Sequence, residues 1–179
     1  MILDFDIPSE EGRLSCVRMR LHDACVHGDL DRIRASLERS IPLDGLNAAG
    51  WSPLHLAAHF GRQRAVRLLL EHGAHPNTRS AHPGAYGGCT PLHVAVVQGR
   101  KAITQLLIQW GASVNDRDEA GYTPLHLATS IGHLGLVKTL LMAGVAINPI
   151  VGDETPLSLA RRTRQMQIAA LLLQCGGTR

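Results

Sequence analysis

Four times this chain writes nearly the same six residues. Ser52-Pro53-Leu54-His55-Leu56-Ala57 is followed by Thr90-Pro91-Leu92-His93-Val94-Ala95, Thr123-Pro124-Leu125-His126-Leu127-Ala128 and Thr155-Pro156-Leu157-Ser158-Leu159-Ala160. The prolines at 53, 91, 124 and 156 stand 38, 33 and 32 residues apart, and a glycine comes 20 residues after each: Gly73, Gly111, Gly144 and Gly176. A period of this length marks a unit that cannot bury its apolar face alone and gains a core by stacking on its neighbours. Although 179 residues allow one or two ordinary domains, the repeat therefore predicts a single elongated one.

Each unit has the same physical grammar. Ser or Thr before Pro supplies an N-cap side chain with proline at the first helical position, a strong helix start. Leu and Ala follow at helical spacing and face the stack. Gly61, Gly99 and Gly132, eight residues after the proline, end this first helix in a tight reversal. A second helix is predicted over Gln63 to Glu71, Lys101 to Gln109 and Leu134 to Met142. It stops at Gly73, Gly111 or Gly144, where a helix C-terminus favours a left-handed residue. A polar stretch with Asn77, Asn115 or Asn148 leads to a further glycine (Gly50, Gly88, Gly121) suited to a hairpin turn.

The fullest copy is Asp118-Glu119-Ala120-Gly121-Tyr122-Thr123-Pro124-Leu125-His126-Leu127-Ala128. These residues resemble the ankyrin repeat, D-x-x-G-x-T-P-L-H-x-A-A followed by L-L-L-x-x-G-A-x-V-N, over roughly residues 18 to 177. The resemblance implies an all-α repeat solenoid: stacked helix-turn-helix units with short β-hairpin fingers at right angles to them. It also implies that His55, His93 and His126 are structural, bonding the turn that links neighbouring repeats. The expected organisation is an acidic tail over 1–16, a capping repeat over 17–50, and repeats over about 51–88, 89–121 and 122–153. A C-terminal capping repeat over 154–179 follows. In the first of these Leu21-His22-Asp23-Ala24 aligns with Leu54-His55-Leu56-Ala57, with Arg20 in the proline's place.

Three departures stand out. Asn77 to Gly88 spans 11 residues where Asn115 to Gly121 spans 6, so Thr78 to Gly87 holds five extra residues. Such an insertion costs well under ~1 kcal/mol in loop closure and predicts one finger longer than its neighbours. In the last repeat Asp153 replaces the turn glycine and Arg164 the inter-helix glycine, while Arg161, Arg162, Thr163, Gln165 and Gln167 suit a polar cap. Near the other end, Ile2, Leu3, Phe5 and Ile7 alternate with Asp4 and Asp6, a frayed tail or a docking strand.

Catalysis finds little support. His55 and His59 share a helical face as in zinc proteases, but Leu56 stands where the water-activating glutamate is needed. His72, His75 and His82 near the third finger read as chance clustering. Cys89 precedes a helix start, without a base and an orienting carboxylate. Gly84 to Gly88 is glycine-rich but lacks the lysine of a phosphate loop. No catalytic residue, metal site or cofactor is expected. A net charge of +3 does not demand nucleic acid; Arg62, Arg64 and Arg67, with Arg161, Arg162 and Arg164, form the alternative surface for nucleic acid or an acidic partner.

The six aromatic residues carry the best functional signal. Trp51 and Tyr122 take the variable position two before the proline, filled by Cys89 and Glu154 elsewhere; Phe60 and Ile131 take the slot before the inter-helix glycine, filled by Gln98 in the third repeat. By the resemblance, these slots line a concave face on which partner proteins dock, and large rigid aromatics suit binding hot spots. The expected contact strip is Trp51, His59, Phe60, Tyr86, Cys89, Gln98, Arg117, Glu119, Tyr122 and Ile131, with Arg79 and Asp118 as weaker members. A bland reading has Trp51 and Tyr122 merely packed between fingers. The chain thus reads as a non-enzymatic protein-interaction module, monomeric, whose partner is another protein.

The resemblance further implies that Asn77, Asn115 and Asn148 match finger asparagines hydroxylated in some intracellular ankyrin proteins. Four scattered cysteines without a CxxC pair suggest reduced thiols and a cytoplasmic or nuclear setting. The acidic start is unlike a targeting peptide, and no apolar run reaches the ~20 residues a membrane helix needs.

Overall fold

The computed structural model describes residues 21–39, 41–82, 84 and 86–178; the acidic tail and the opening of the first repeat lie outside them. Among the described residues are ten helices. They are residues 21–27 (α1), Leu30–Leu37 (α2), Pro53–His59 (α3), Gln63–Glu71 (α4), Pro91–Val97 (α5), Lys101–Gln109 (α6), Pro124–Ser130 (α7), Leu134–Met142 (α8), Pro156–Arg162 (α9) and Met166–Gln174 (α10). The second helices predicted in the three full repeats match α4, α6 and α8 end for end.

Two rows of helices build the stack. In one row α3, α5, α7 and α9 pack in succession; in the other α2, α4, α6, α8 and α10 do, and α3 packs on α4, α5 on α6, α7 on α8 and α9 on α10. The repeated leucines Leu54, Leu92, Leu125 and Leu157, the alanines Ala57, Ala95, Ala128 and Ala160, and the outer-row leucines Leu69, Leu107, Leu140 and Leu172 are all buried in one continuous core. Full burial of a leucine contributes about 1.5–3 kcal/mol. The alanines let helices of adjacent repeats approach closely, which is why so few aromatics are needed.

Local sequence starts and stops each inner helix. Ser52, Thr90, Thr123 and Thr155 are extended N-caps, each forming a capping box with the residue at N3. In three repeats that residue is histidine, and its Nδ1 accepts the cap residue's N–H at 3.2–3.4 Å where a Glu or Gln is usual. The helix ends at a glycine such as Gly61, φ +72°, where Arg62 N–H returns to the Ala57 carbonyl at 2.8 Å. Space at that glycine is occupied from the next repeat: the Arg100 side chain lies over Gly61, as Arg62 lies over Gly28 and Gln165 over Gly132.

The fingers depart from the expected β-hairpins. Among the described residues the only bridge is Val151 with Glu154. Elsewhere the fingers close on isolated bonds, Asn47 N–H to the Trp51 carbonyl and Asp118 N–H to the Tyr122 carbonyl, with Asn47 and Asp118 side chains accepting the N–H of Trp51 and Tyr122. The two arms are too short for a ladder, so side-chain oxygens satisfy the turn. Neighbouring fingers join through Ala81 N–H to the Gly50 carbonyl and Glu119 N–H to that of Gly87.

The last repeat is the least regular. Arg164 keeps the inter-helix turn at φ +59°, the one non-glycine residue there among those described. Its polar cap is also incomplete, because Met166 and Leu173 on α10 are exposed. An L-residue in this left-handed region costs about 1–2 kcal/mol, partly offset by the ~0.5–1 kcal/mol that glycine loses in chain entropy. Arg164→Gly is therefore expected to stabilise the chain by roughly 0.5–1 kcal/mol, read as a higher urea midpoint at unchanged slope.

Candidate protein-binding face

The histidines serve the stack. His22 Nε2 lies 2.9 Å from the Gly45 carbonyl and 3.1 Å from that of Trp51. His55 Nε2 reaches the Cys89 carbonyl at 2.9 Å and His93 Nε2 the Asp116 carbonyl at 3.1 Å, so each ring ties its helix start to the next finger. With Nδ1 accepting from the cap, Nε2 is the donor and neither nitrogen of His55 or His93 has a lone pair left for a metal. His126 keeps the cap bond, and the backbone carbonyls of Glu154 and Pro149 lie close to its ring in the next finger. Burial pushes all three rings towards the neutral form, His55 down to about 4.

The asparagines clamp the other end of each repeat. Asn77 Oδ1 accepts the Ser113 N–H at 2.7 Å and its Nδ2 donates to the Gly111 carbonyl at 3.1 Å; Asn148 does the same to Thr178 and Gly176. Asn115 accepts from Ala146 N–H at 2.8 Å. Asp44 takes this role in the first repeat, accepting the His75 N–H at 2.9 Å, although its sequence carries no asparagine there.

Cys89 is 2% exposed, and burial first, then Asp118 and Glu119, pushes its thiol up to about 12. Cys25 is pushed up to about 12 by burial alone. Among the described residues no three His, Cys, Asp or Glu side chains are grouped to hold a metal ion.

The expected contact residues fall into three kinds. Phe60 and Ile131 are exposed, 41% and 42%, at the C-caps of α3 and α7, with half-buried Gln98 at that of α5 between them. Trp51 and Cys89 are buried instead, 6% and 2% exposed, in a small separate core with Val94. Both present almost no exposed area, and the Trp51 indole packs against the Tyr86 ring of the adjoining finger. Tyr122 stays half-buried, edge-on to His126 at 5.9 Å. Finger arginines form the third kind. Arg117 donates to the carbonyls of Gly121 and Ile150, both at 2.9 Å, and Arg79 to those of Gly88 and Arg117, at 3.1 and 2.7 Å. They staple successive fingers, Asp118 caps a turn, and the exposed Glu119 side chain lies over Gly87 and Gly88.

The insertion does not simply lengthen its finger. Ser80 Oγ bonds the Tyr86 carbonyl, Gly87 N–H returns to that of Gly84, and the Tyr86 ring folds back onto Trp51 at 5.3 Å. His59 and His82 stand edge-on to the same indole at 5.2 and 5.5 Å, and Phe60 continues the cluster from His59 at 4.9 Å. His82 thus belongs with Trp51 and not with His72 and His75, which bond the Leu68 carbonyl and the Asn77 N–H. Sequence alone missed this partner because an insertion has no counterpart in the other repeats from which to infer its direction.

The arginine clusters are partly engaged. Arg62 Nε donates to the Val26 carbonyl at 2.9 Å, and Arg162 forms a two-pronged pair with Glu154, one contact at 3.1 Å. Arg64 and Arg67 border a shallow cleft with Leu30, Arg34, Leu68 and Glu71.

Two family models match this chain: Ankyrin repeats (3 copies) over residues 21–118 and Ankyrin repeat over 120–151. The chain belongs to the ankyrin-repeat family. Ankyrin repeats are in general protein-interaction modules. One similar curated protein is the 2-5A-dependent ribonuclease of Mus musculus, 42% identical over 53 residues, which is 29% of this chain and 7% of that protein. The likeness is confined to ankyrin repeats, and this chain spans a small fraction of that relative's length. No helix among the described residues is long and apolar enough to cross a membrane.

Two outcomes follow from the buried groups of this ankyrin stack. An unfolded His55 protonates near 6.5 and the folded one only near 4, so between these values the unfolded chain binds more protons. Stability should be complete above pH 6.5, fall as pH drops towards 4, and fall less steeply in His55→Gln, by urea midpoints across that range. In a Cys16→Ser background, which removes the thiol outside the described residues, a thiol reagent should modify exposed Cys175 at once and Cys25 and Cys89 only on unfolding.

Proposed function

We propose that this ankyrin chain is a non-enzymatic adaptor, scaffold or inhibitor that docks one partner protein on the concave side formed by its fingers and inner helices. The observation that supports this most is the row of corresponding C-cap residues, Phe60, Gln98 and Ile131, on successively packed α3, α5 and α7, two of them exposed apolar side chains. Tyr86, Tyr122 and His59 flank that row half-buried, and Trp51 and Cys89 hold it from below. A face prebuilt on packed helices loses little ordering entropy on binding, and ~800 Å² of it makes a standard interface.

The acting unit is the repeat array over 17–179, monomeric, preceded by the acidic 1–16 segment, and its setting is the cytoplasm or nucleus. Affinity capture from the native cell type, comparing the intact chain with Phe60→Ala/Ile131→Ala, tests the face. The double variant should keep its helical content and unfolding midpoint while recovery of bound protein drops at least about tenfold, the loss of one hot spot of ~2 kcal/mol. Met142→Ala, exposed on α8, should recover the same proteins as the intact chain. Equal recovery by Phe60→Ala/Ile131→Ala would overturn the assignment of this face.

A further inference from the structure

The Trp51 cluster contains an unmet demand. Trp51 is 6% exposed, yet its Nε1 has no hydrogen-bond partner, and the same is true of buried His59 Nδ1 and His82 Nδ1. The three belong to rings in contact, with His59 and His82 at 5.2 and 5.5 Å from the indole. Leaving a buried donor unmet costs about 1–3 kcal/mol, and buried polar groups in native proteins nearly always find partners. An indole nitrogen only donates, and an imidazole Nδ1 donates in one neutral tautomer and when protonated.

The surroundings select the missing acceptor. Arg100, whose guanidinium lies over Gly61 beside Phe60, acts electrostatically on His59 and forms no ion pair among the described residues. Glu119, over Gly87 and Gly88 in the adjoining finger, bonds none of the three nitrogens. A carboxylate carries two oxygens with about four acceptor sites and a charge that strengthens each bond, whereas an amide carbonyl supplies one oxygen. Over the indole lies the Tyr86 ring, whose hydroxyl has a single long contact, 3.5 Å from Gln98 Nε2. That ring, which also touches His59 and His82, is the cover an entering group would have to displace.

We propose that Trp51, His59, His82 and Arg100 form a carboxylate subsite on the binding face, taking an Asp or Glu side chain of the partner next to an apolar residue seated on Phe60. This rests on the reading of the face given above. The partner segment it fits is an acidic-apolar peptide.

Panning the full chain against a displayed library of random dodecapeptides supplies the probe. Peptides retained should carry Asp or Glu beside a large apolar residue. For the tightest one, changing the acid to its amide should weaken binding at least about tenfold on the intact chain, the range of a hydrogen bond to a charged group. The same change should matter less than about twofold on Trp51→Phe or on Arg100→Gln, the second being a surface change that leaves the core intact if the first fails to fold. In the NMR spectrum the Trp51 indole N–H signal, told from that of Trp110 by Trp110→Phe, should move downfield with the acid peptide only.

Peptides that need Phe60 and Ile131 but bind equally as acid or amide, with the indole signal unmoved, would overturn the subsite and spare the face; an ordered water then satisfies the three nitrogens. Peptides indifferent to Phe60→Ala/Ile131→Ala, or no retained peptide, would overturn the subsite, and indifference would count against the face as well.

Discussion

Everything in this stack depends on side chains of one repeat satisfying backbone groups of the next. A short helix of seven residues leaves most of its polar ends unpaired, and such ends cannot be buried against a neighbour unless something answers them. His55 and His93 do so at the start of the inner helix, closing the cap with one nitrogen and holding a finger carbonyl with the other. Asn77, Asn115 and Asn148 do so beyond the outer helix, accepting N–H groups of the following repeat. Leucine and alanine supply the driving force, but these bonds set the register in which the layers meet.

That register has a functional consequence. Because corresponding residues meet corresponding residues, anything placed at a variable slot of one repeat lies next to the same slot of its neighbours. Phe60, Gln98 and Ile131 become a row through this translation alone. The fingers are held just as firmly, with Arg79 and Arg117 bridging successive carbonyls. Each of these two arginines turns its Nη1 inward to those carbonyls while the residue stays exposed.

The repeats made most of the architecture legible. Proline with a preceding hydroxyl and the glycines at constant offset marked the helix ends, and α4, α6 and α8 were placed to the residue. The structural role of the histidines was implied by resemblance and is realised in bonds of 2.9 and 3.1 Å. Less was legible in the fingers, where expected hairpins are loops closed by Asn47 and Asp118. Strand content depends on how far two arms run side by side, and a turn motif is silent about that. The insertion was visible as five extra residues, but its direction was not.

The amino-acid sequence alone determined the number of layers, the ends of the helices and which leucines and alanines meet, because each of these follows from local caps and a constant period. Only the tertiary structure decided that Trp51 is covered while Phe60 is open, and that Tyr86 and His82 come back over the indole. Burial of a given slot depends on what the adjacent finger brings to it. Where that finger carries a unique insertion, periodicity has nothing to copy, and packing across the layers settles the outcome.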